Sequence, residues 1–140
     1  MSISLAEATA ILDGAIGKAR QLGIRPICVV VLDTGGHVQA LKREDGATFL
    51  RPRIATAKAW GALGMGRSSR VLEERFGDRP GFLTALAALS DGNFVPVPGG
   101  SLVCVDGKVA GAVGISGASS DEDEACALEG VRAAGLQVCE

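Results

Sequence analysis

Apolar residues recur at helical spacing near the start of the chain, at Leu5, Ala8, Leu12, Ala15, Ile16 and Ala19, and so share one face of a 3.6-residue repeat. Ser4 and Glu7 precede this run with the spacing of a capping box, and Gly23 and Pro26 bar its continuation. The pattern predicts a helix over 4–22. The period then changes. ICVVVLD at 27–33 is a short, β-branched apolar run, which suits a buried strand. Thr34-Gly35-Gly36 forms a turn, and HVQALKR at 37–43 alternates, so the two runs read as a hairpin. One face of the returning strand holds His37, Gln39, Leu41 and Arg43.

Helical spacing returns over 53–63, with Ile54, Ala57 and Gly61 on one side and Gly64-Met65-Gly66 at its end. Ser68 suits the cap of a short helix, SSRVLEERF, and Pro80 suits the start of another, PGFLTALAALS. Phe82, Leu83, Leu86 and Leu89 form the apolar stripe of the latter. Val95-Pro96-Val97 leads into Pro98-Gly99-Gly100-Ser101. LVCVD and KVAGAVGIS follow as strands joined by Asp106-Gly107, a strong hairpin signal. In the second of these, Val109, Gly111, Val113 and Ile115 share one face. The other carries Ala110, Ala112, Gly114 and Ser116, and so small a face lets a helix or a flat apolar ring come close. Ser119 and Ser120 cap a last helix, whose first turn holds Asp121, Glu122 and Asp123.

The element order is therefore α-ββ-ααα-βββ-α. Hairpins imply antiparallel pairing, so the expected fold class is α+β, an antiparallel sheet of about five strands flanked by helices. No linker or repeat divides residues 1–140, which read as one domain. No G-x-G-x-x-G joins a strand to a helix and no Walker motif occurs, which argues against a nucleotide-phosphate loop.

Composition narrows the function classes. Fourteen basic residues against sixteen acidic ones give a net charge of −2, unlike the basic surplus of a nucleic-acid binder. There is no Tyr and one Trp, so no platform exists for stacking bases. No apolar run reaches the roughly 18 residues of a membrane span. MSISLAEATAILDG has no basic start followed by an apolar core, so the expected location is cytoplasmic, with no membrane partner. Four cysteines without C-x-x-C spacing and a single His exclude a linear zinc motif. Cys28 and Cys104 lie in apolar runs and read as small buried hydrophobes. Cys139 lies in a segment expected to fray, where it is open to adventitious oxidation.

Four features carry chemistry, each beside a plainer reading. His37, the only imidazole, follows a Gly-Gly turn; it suits an iron ligand or a general base, or is a surface strand residue. Lys58 lies between Ala57 and Ala59, placed to clamp a carboxylate or to act as a lowered-pKa base, or is a solvated helix lysine. Arg43 and Arg53 admit the same two readings. The Gly99-Gly100 loop presents successive backbone N–H groups to an anion or oxyanion, or is a plain turn. The acidic run SSDEDEA reads as a charged cap, since a helix's first turn splays its carboxylates away from one ion.

DTGGHVQALKREDGA, IATAKAWGAL and VPVPGGSLVCVDGKVAGAVGISGASSDEDEACALEGV follow one another in this order. Together they resemble the GlcG/HbpS family, also called the haem-degrading domain family, which includes the C-terminal domain of PduO-type corrinoid adenosyltransferases. The most specific piece is P-G-G-x-x-x-x-x-D-G-x-x-x-G-A-x-G-I-S-G followed by D-E-A. The resemblance implies a profilin-like fold and homo-oligomers. The matched positions are His37, Lys58, Gly99-Gly100 and Asp123-Glu124-Ala125. The first expectation is a small-ligand binding domain, with haem or a related tetrapyrrole as lead ligand and haem degradation implied by the domain's name. His37 is then the iron ligand, Lys58 or Arg43 meets a propionate, and a sixth ligand is Met, Cys or solvent. The alternative is a cofactor-free lyase, isomerase or hydratase acting on a small organic acid. There the Gly99-Gly100 amides hold the oxyanion and Lys58 binds the carboxylate. His37 or a carboxylate such as Asp123 or Glu124 moves the proton. A third reading is a partner subunit with an empty pocket. Whether the chain is an enzyme stays open at this level.

Overall fold

Ser4 caps the first helix of the computed structural model, which describes residues 1–139. Its hydroxyl accepts from the Glu7 N–H at 3.1 Å, while its own N–H donates to the Glu7 carboxylate at 2.9 Å. Helix α1 (Leu5–Leu22) ends at Gly23 in the left-handed conformation. Strands β1 (Cys28–Leu32) and β2 (Val38–Arg43) form the expected hairpin. Helix α2 (Arg51–Met65) starts earlier than the apolar spacing indicates, because Pro52 fits a helix's first turn. Helix α3 (Ser69–Phe76) is capped by Ser68, and α4 (Pro80–Leu89) opens on its proline. Strands β3 (Gly100–Val105) and β4 (Lys108–Ser116) meet at Asp106 and Gly107, with φ 52° and 75°, the signature of a type I′ turn. Helix α5 (Ser120–Ala133) is capped by Ser119, and β5 (Gln137–Val138) follows.

The five strands lie in the order β2-β1-β4-β3-β5, and every neighbouring pair is antiparallel. The α+β class and the strand count match the expectation; the place of one strand does not. Residues 95–97 form no strand, since Pro96 and Pro98 remove ladder donors. The remaining strand is β5, beyond α5, paired along β3.

β1 is buried along its whole length because both sheet faces are covered. Val29, Val31, Val103, Val113 and Ile115 pack with α1 and α5, while Val30, Leu32, Leu102 and Ala112 pack with α2. The small face of β4 has a specific use. A Cβ at Gly114 would fall on the Ala55 carbonyl oxygen and within 3.0 Å of the Ala59 side chain. Helix α2 therefore rests on the strand, and it fills the space that the sequence left open to a flat ring. Ala110, at the irregularity in β3–β4 pairing, is itself buried.

Two further expectations change. The apolar stripe of α4 is not core: none of its residues is buried, and Leu89 is 82% exposed. Cys104 is not a free buried thiol, nor does Cys139 fray. The two form a disulfide, and the Cys139 N–H donates to the Leu102 carbonyl at 2.9 Å. Cys28 and Cys126 are free and buried, and burial pushes each thiol up to about 11. Among the described residues, no helix is long and apolar enough to cross a membrane.

Candidate functional site

The β1–β2 turn closes around one carboxylate. Asp33 Oδ1 accepts from the N–H groups of Gly35 and His37, each at 2.9 Å, and lies 3.1 Å from His37 Nδ1. These bonds, the His37 backbone N–H foremost, hold the Asp33 carboxyl below its ordinary range. An ionised carboxylate only accepts, so Nδ1 of the neutral ring carries the proton and Nε2 is left with its lone pair. The His37 side chain is 80% exposed, and no hydrogen bond to Nε2 is formed among the described residues. Gly36 sits against Trp60: a Cβ there would come within 2.8 Å of the indole Nε1. Trp60 also walls an apolar cleft of about 200 Å³ with Met65, Leu86, Leu89 and Phe94.

The depressed Asp33 value has a testable consequence. The bonds to the ionised form stabilise the turn above the ordinary carboxylate pKa of 3.8 and are lost as pH falls through the lower folded value. Amide-exchange protection at Gly35 and His37 is expected to persist to mildly acid pH and then fall. Asp33→Ala should remove it at every pH; equal protection in that variant would sink this account of the turn.

Lys58 is neither solvated nor open to a substrate. Its amine, 3% exposed, donates to the Ile115 carbonyl at 2.9 Å and to Asp123 Oδ2 at 3.1 Å. Asp123 Oδ1 accepts from the Ala118 N–H at 3.0 Å. Burial pushes Lys58 down and Asp123 up, and each partner's charge opposes the shift of the other. Gly99 is needed here because Lys58 fills the space beside it: a Cβ at Gly99 would lie 2.9 Å from Nζ. The Gly100 N–H donates to Ser69 Oγ at 2.8 Å, and that hydroxyl returns a bond to the Gly100 carbonyl at 3.2 Å.

The fold thus brings Lys58, Asp123, Gly99 and Gly100 together, as the sequence reading placed them, but as a buried and internally bonded cluster. The Gly100 amide is already paired, which leaves it no vacant donor for an oxyanion. Glu124 is turned away, accepting from Arg70 Nε at 2.8 and 2.9 Å. Arg43 donates to the Ala47 carbonyl. It lies at the opposite end of β2 from His37, about 20 Å away at the usual strand rise of ~3.3 Å per residue. Arg53 is exposed on α2. Neither Lys58 nor Arg43 therefore stands beside His37. Asp33, Trp60, Ser69 and Arg70 were not singled out from sequence. The Asp-Thr-Gly-Gly-His run did carry a signal for the first, since Asp readily binds backbone N–H groups two residues on.

The family described as "Haem degrading protein HbpS-like" matches residues 3–132. The chain is 28% identical to the corrinoid adenosyltransferase PduO of Citrobacter freundii over 124 residues. That match covers 88% of this chain and 36% of the adenosyltransferase, so the chain spans about a third of that relative's length. It is 35% identical to protein GlcG of Escherichia coli K12 over 91 residues, 64% of this chain and 63% of GlcG. The solved PduOC:haem complex superposes with a TM-score of 0.88 at 26% identity, over 100% of both chains. A family match that runs from α1 into α5, on the fold of the solved PduOC:haem complex, makes this chain a member of the HbpS-like haem-degrading protein family.

Proposed function

We propose that this chain is a haem-binding domain in which His37 Nε2 ligates the iron. One observation carries the reading: the chain's only imidazole is exposed, anchored through Nδ1 on an ionised carboxylate, with no partner on Nε2 among the described residues. A carboxylate behind a ligating His fixes its tautomer and raises its basicity, and a neutral imidazole is a common haem ligand. Membership of the HbpS-like family and likeness to the PduOC:haem complex support the same ligand. Bound haem supplies an iron centre for redox or oxygen chemistry; the chain's part is to hold and orient it. With no second His, and with every cysteine either buried or in the disulfide, any further iron ligand would be a methionine or solvent.

The cleft beside Trp60, about 200 Å³, is smaller than a site that encloses a ligand, ~300 Å³ or more. A second copy of the chain completes the cover in our reading, through the half-buried apolar stripe of α4 and its exposed Leu89. Light scattering of the hemin-loaded protein should then exceed the 14.2 kDa of one chain; a monomer at saturation counts against the cover. The ligand itself is tested by hemin titration of the wild type beside His37→Ala. A Soret band saturating at one equivalent is expected, with binding at least about tenfold weaker in the variant, or ~1.4 kcal/mol. An identical broad band in both proteins would remove His37 from the reading. Degradation is a separate step, tested by whether that band decays under reductant and oxygen.

The organic-acid reading is not favoured. Of the groups it relies on, Lys58 and Asp123 are buried and paired with each other, and the buried Gly100 N–H is already bonded to Ser69 Oγ.

A further inference from the structure

A cavity of about 130 Å³ lies between the start of α3 and the β3–β5 edge. Arg67, Ser68, Val71, Ser101 and Leu128 line it, and so does Cys139. Its disulfide partner Cys104 does not, so the cavity adjoins the Cys139 side of the bond. Arg67 contributes a cation to this wall. Its guanidinium donates to the adjacent Gly66 carbonyl at 3.0 Å and forms no ion pair among the described residues. The carboxylate of Glu124, on the same cavity, is engaged by Arg70.

From this arrangement we propose that the cavity is a thiol-exchange site for a small thiol bearing a carboxylate, and that its reaction with Cys139 releases β5 from β3. Arg67 meets the carboxylate, and the thiolate attacks the Cys139 sulfur. The S–S bond breaks as the mixed disulfide forms, and Cys104 departs as a thiolate that takes up a proton. A second molecule of the same thiol attacks the mixed disulfide and leaves as the oxidised small-molecule disulfide. Two electrons pass to the chain from two thiols, and both cysteines end as thiols.

Little else secures β5. It has two residues, pairs with β3 only at Val103↔Val138 and Cys104↔Gln137, and is followed by the Cys139 N–H bond to Leu102. So short a strand is marginal without its tie, and its departure bares the β3 edge. The remaining cysteines do not compete for the reagent, since Cys28 and Cys126 are buried with their thiols held protonated.

The test uses the full oxidised chain, with mercaptoacetate as the carboxylate-bearing thiol and 2-mercaptoethanol, of similar size, as the neutral one. Peptide mapping by mass spectrometry should place a transient mercaptoacetate adduct on Cys139. The Cys139 amide should lose exchange protection as the disulfide opens. Arg67→Ala should slow the mercaptoacetate reaction by about threefold, the scale of one exposed charge contact, and leave the 2-mercaptoethanol rate unchanged. An adduct on Cys104, equal slowing with both thiols, or a fully reduced chain whose Cys139 amide stays protected would each overturn the proposal.

Discussion

Lys58→Met is expected to destabilise the fold by about 3–5 kcal/mol, the scale for removing one partner of a buried ion pair. The methionine fills the lysine's path along the core, but Asp123, 1% exposed, keeps only backbone N–H bonds, from Ala118 and Gly117, and loses its counter-charge. A carboxylate stranded in this way is far more costly than the pair it came from. The loss has a pH signature. Burial already raises the Asp123 pKa above its ordinary 3.8, and Lys58 is the largest influence holding it down. Without Lys58 it rises further, so the folded state binds a proton that the unfolded state has released. Stability of the variant is therefore greatest in acid and falls as pH rises from 3.8 through the raised folded value, the reverse of an ordinary salt-bridged carboxylate. Urea unfolding at mildly acid and at neutral pH measures both effects. Adding Asp123→Leu removes the stranded charge and should recover most of the loss. A Lys58→Met chain as stable as the wild type at neutral pH would show that the pair is not the lock described here.

The second large effect is expected at Gly114. Gly114→Ala places a methyl group on the Ala55 carbonyl oxygen, and neither the β4 backbone nor the α2 backbone yields as a flexible side chain would. The cost expected is about 3 kcal/mol, the upper part of the usual overpacking range, and it falls on the α2–sheet contact. Trp60, carried on α2 against Gly36, provides the readout: its fluorescence should shift in the folded variant, and the urea midpoint should drop. An Ala at 114 with wild-type stability would mean that α2 can lift from the strand at no cost. The two substitutions act through different causes, an orphaned charge and a steric wedge. Only the first should depend on pH.

Much of the architecture was legible along the chain because it is set by neighbours a few residues apart. The capping boxes at Ser4 and Ser119, the left-handed stop at Gly23 and the Asp106-Gly107 turn are all local hydrogen-bond or dihedral requirements. Apolar spacing separated helices from strands for the same reason. It failed where a local signal had no packing consequence. Residues 95–97 resemble a strand but lack ladder donors, and the stripe on α4 resembles a core face but is only half-buried among the described residues.

The site was legible only as a set of residue types. His37 and Lys58 stood out by uniqueness and context, yet what each does depends on a partner that periodicity does not record. Asp33, on the far side of a tight turn, converts His37 from a surface strand residue into an oriented donor. Asp123, 65 residues from Lys58, converts a candidate substrate clamp into a core ion pair. The same holds for Cys104 and Cys139, 35 residues apart. By itself, then, the sequence determined the helices, the hairpins, the α+β class and the family motif, since each follows from short-range geometry. Tertiary structure alone decided which polar groups are spent inside the fold and which face outward. That choice depends on sheet register and on the height at which α2 rests over Gly114.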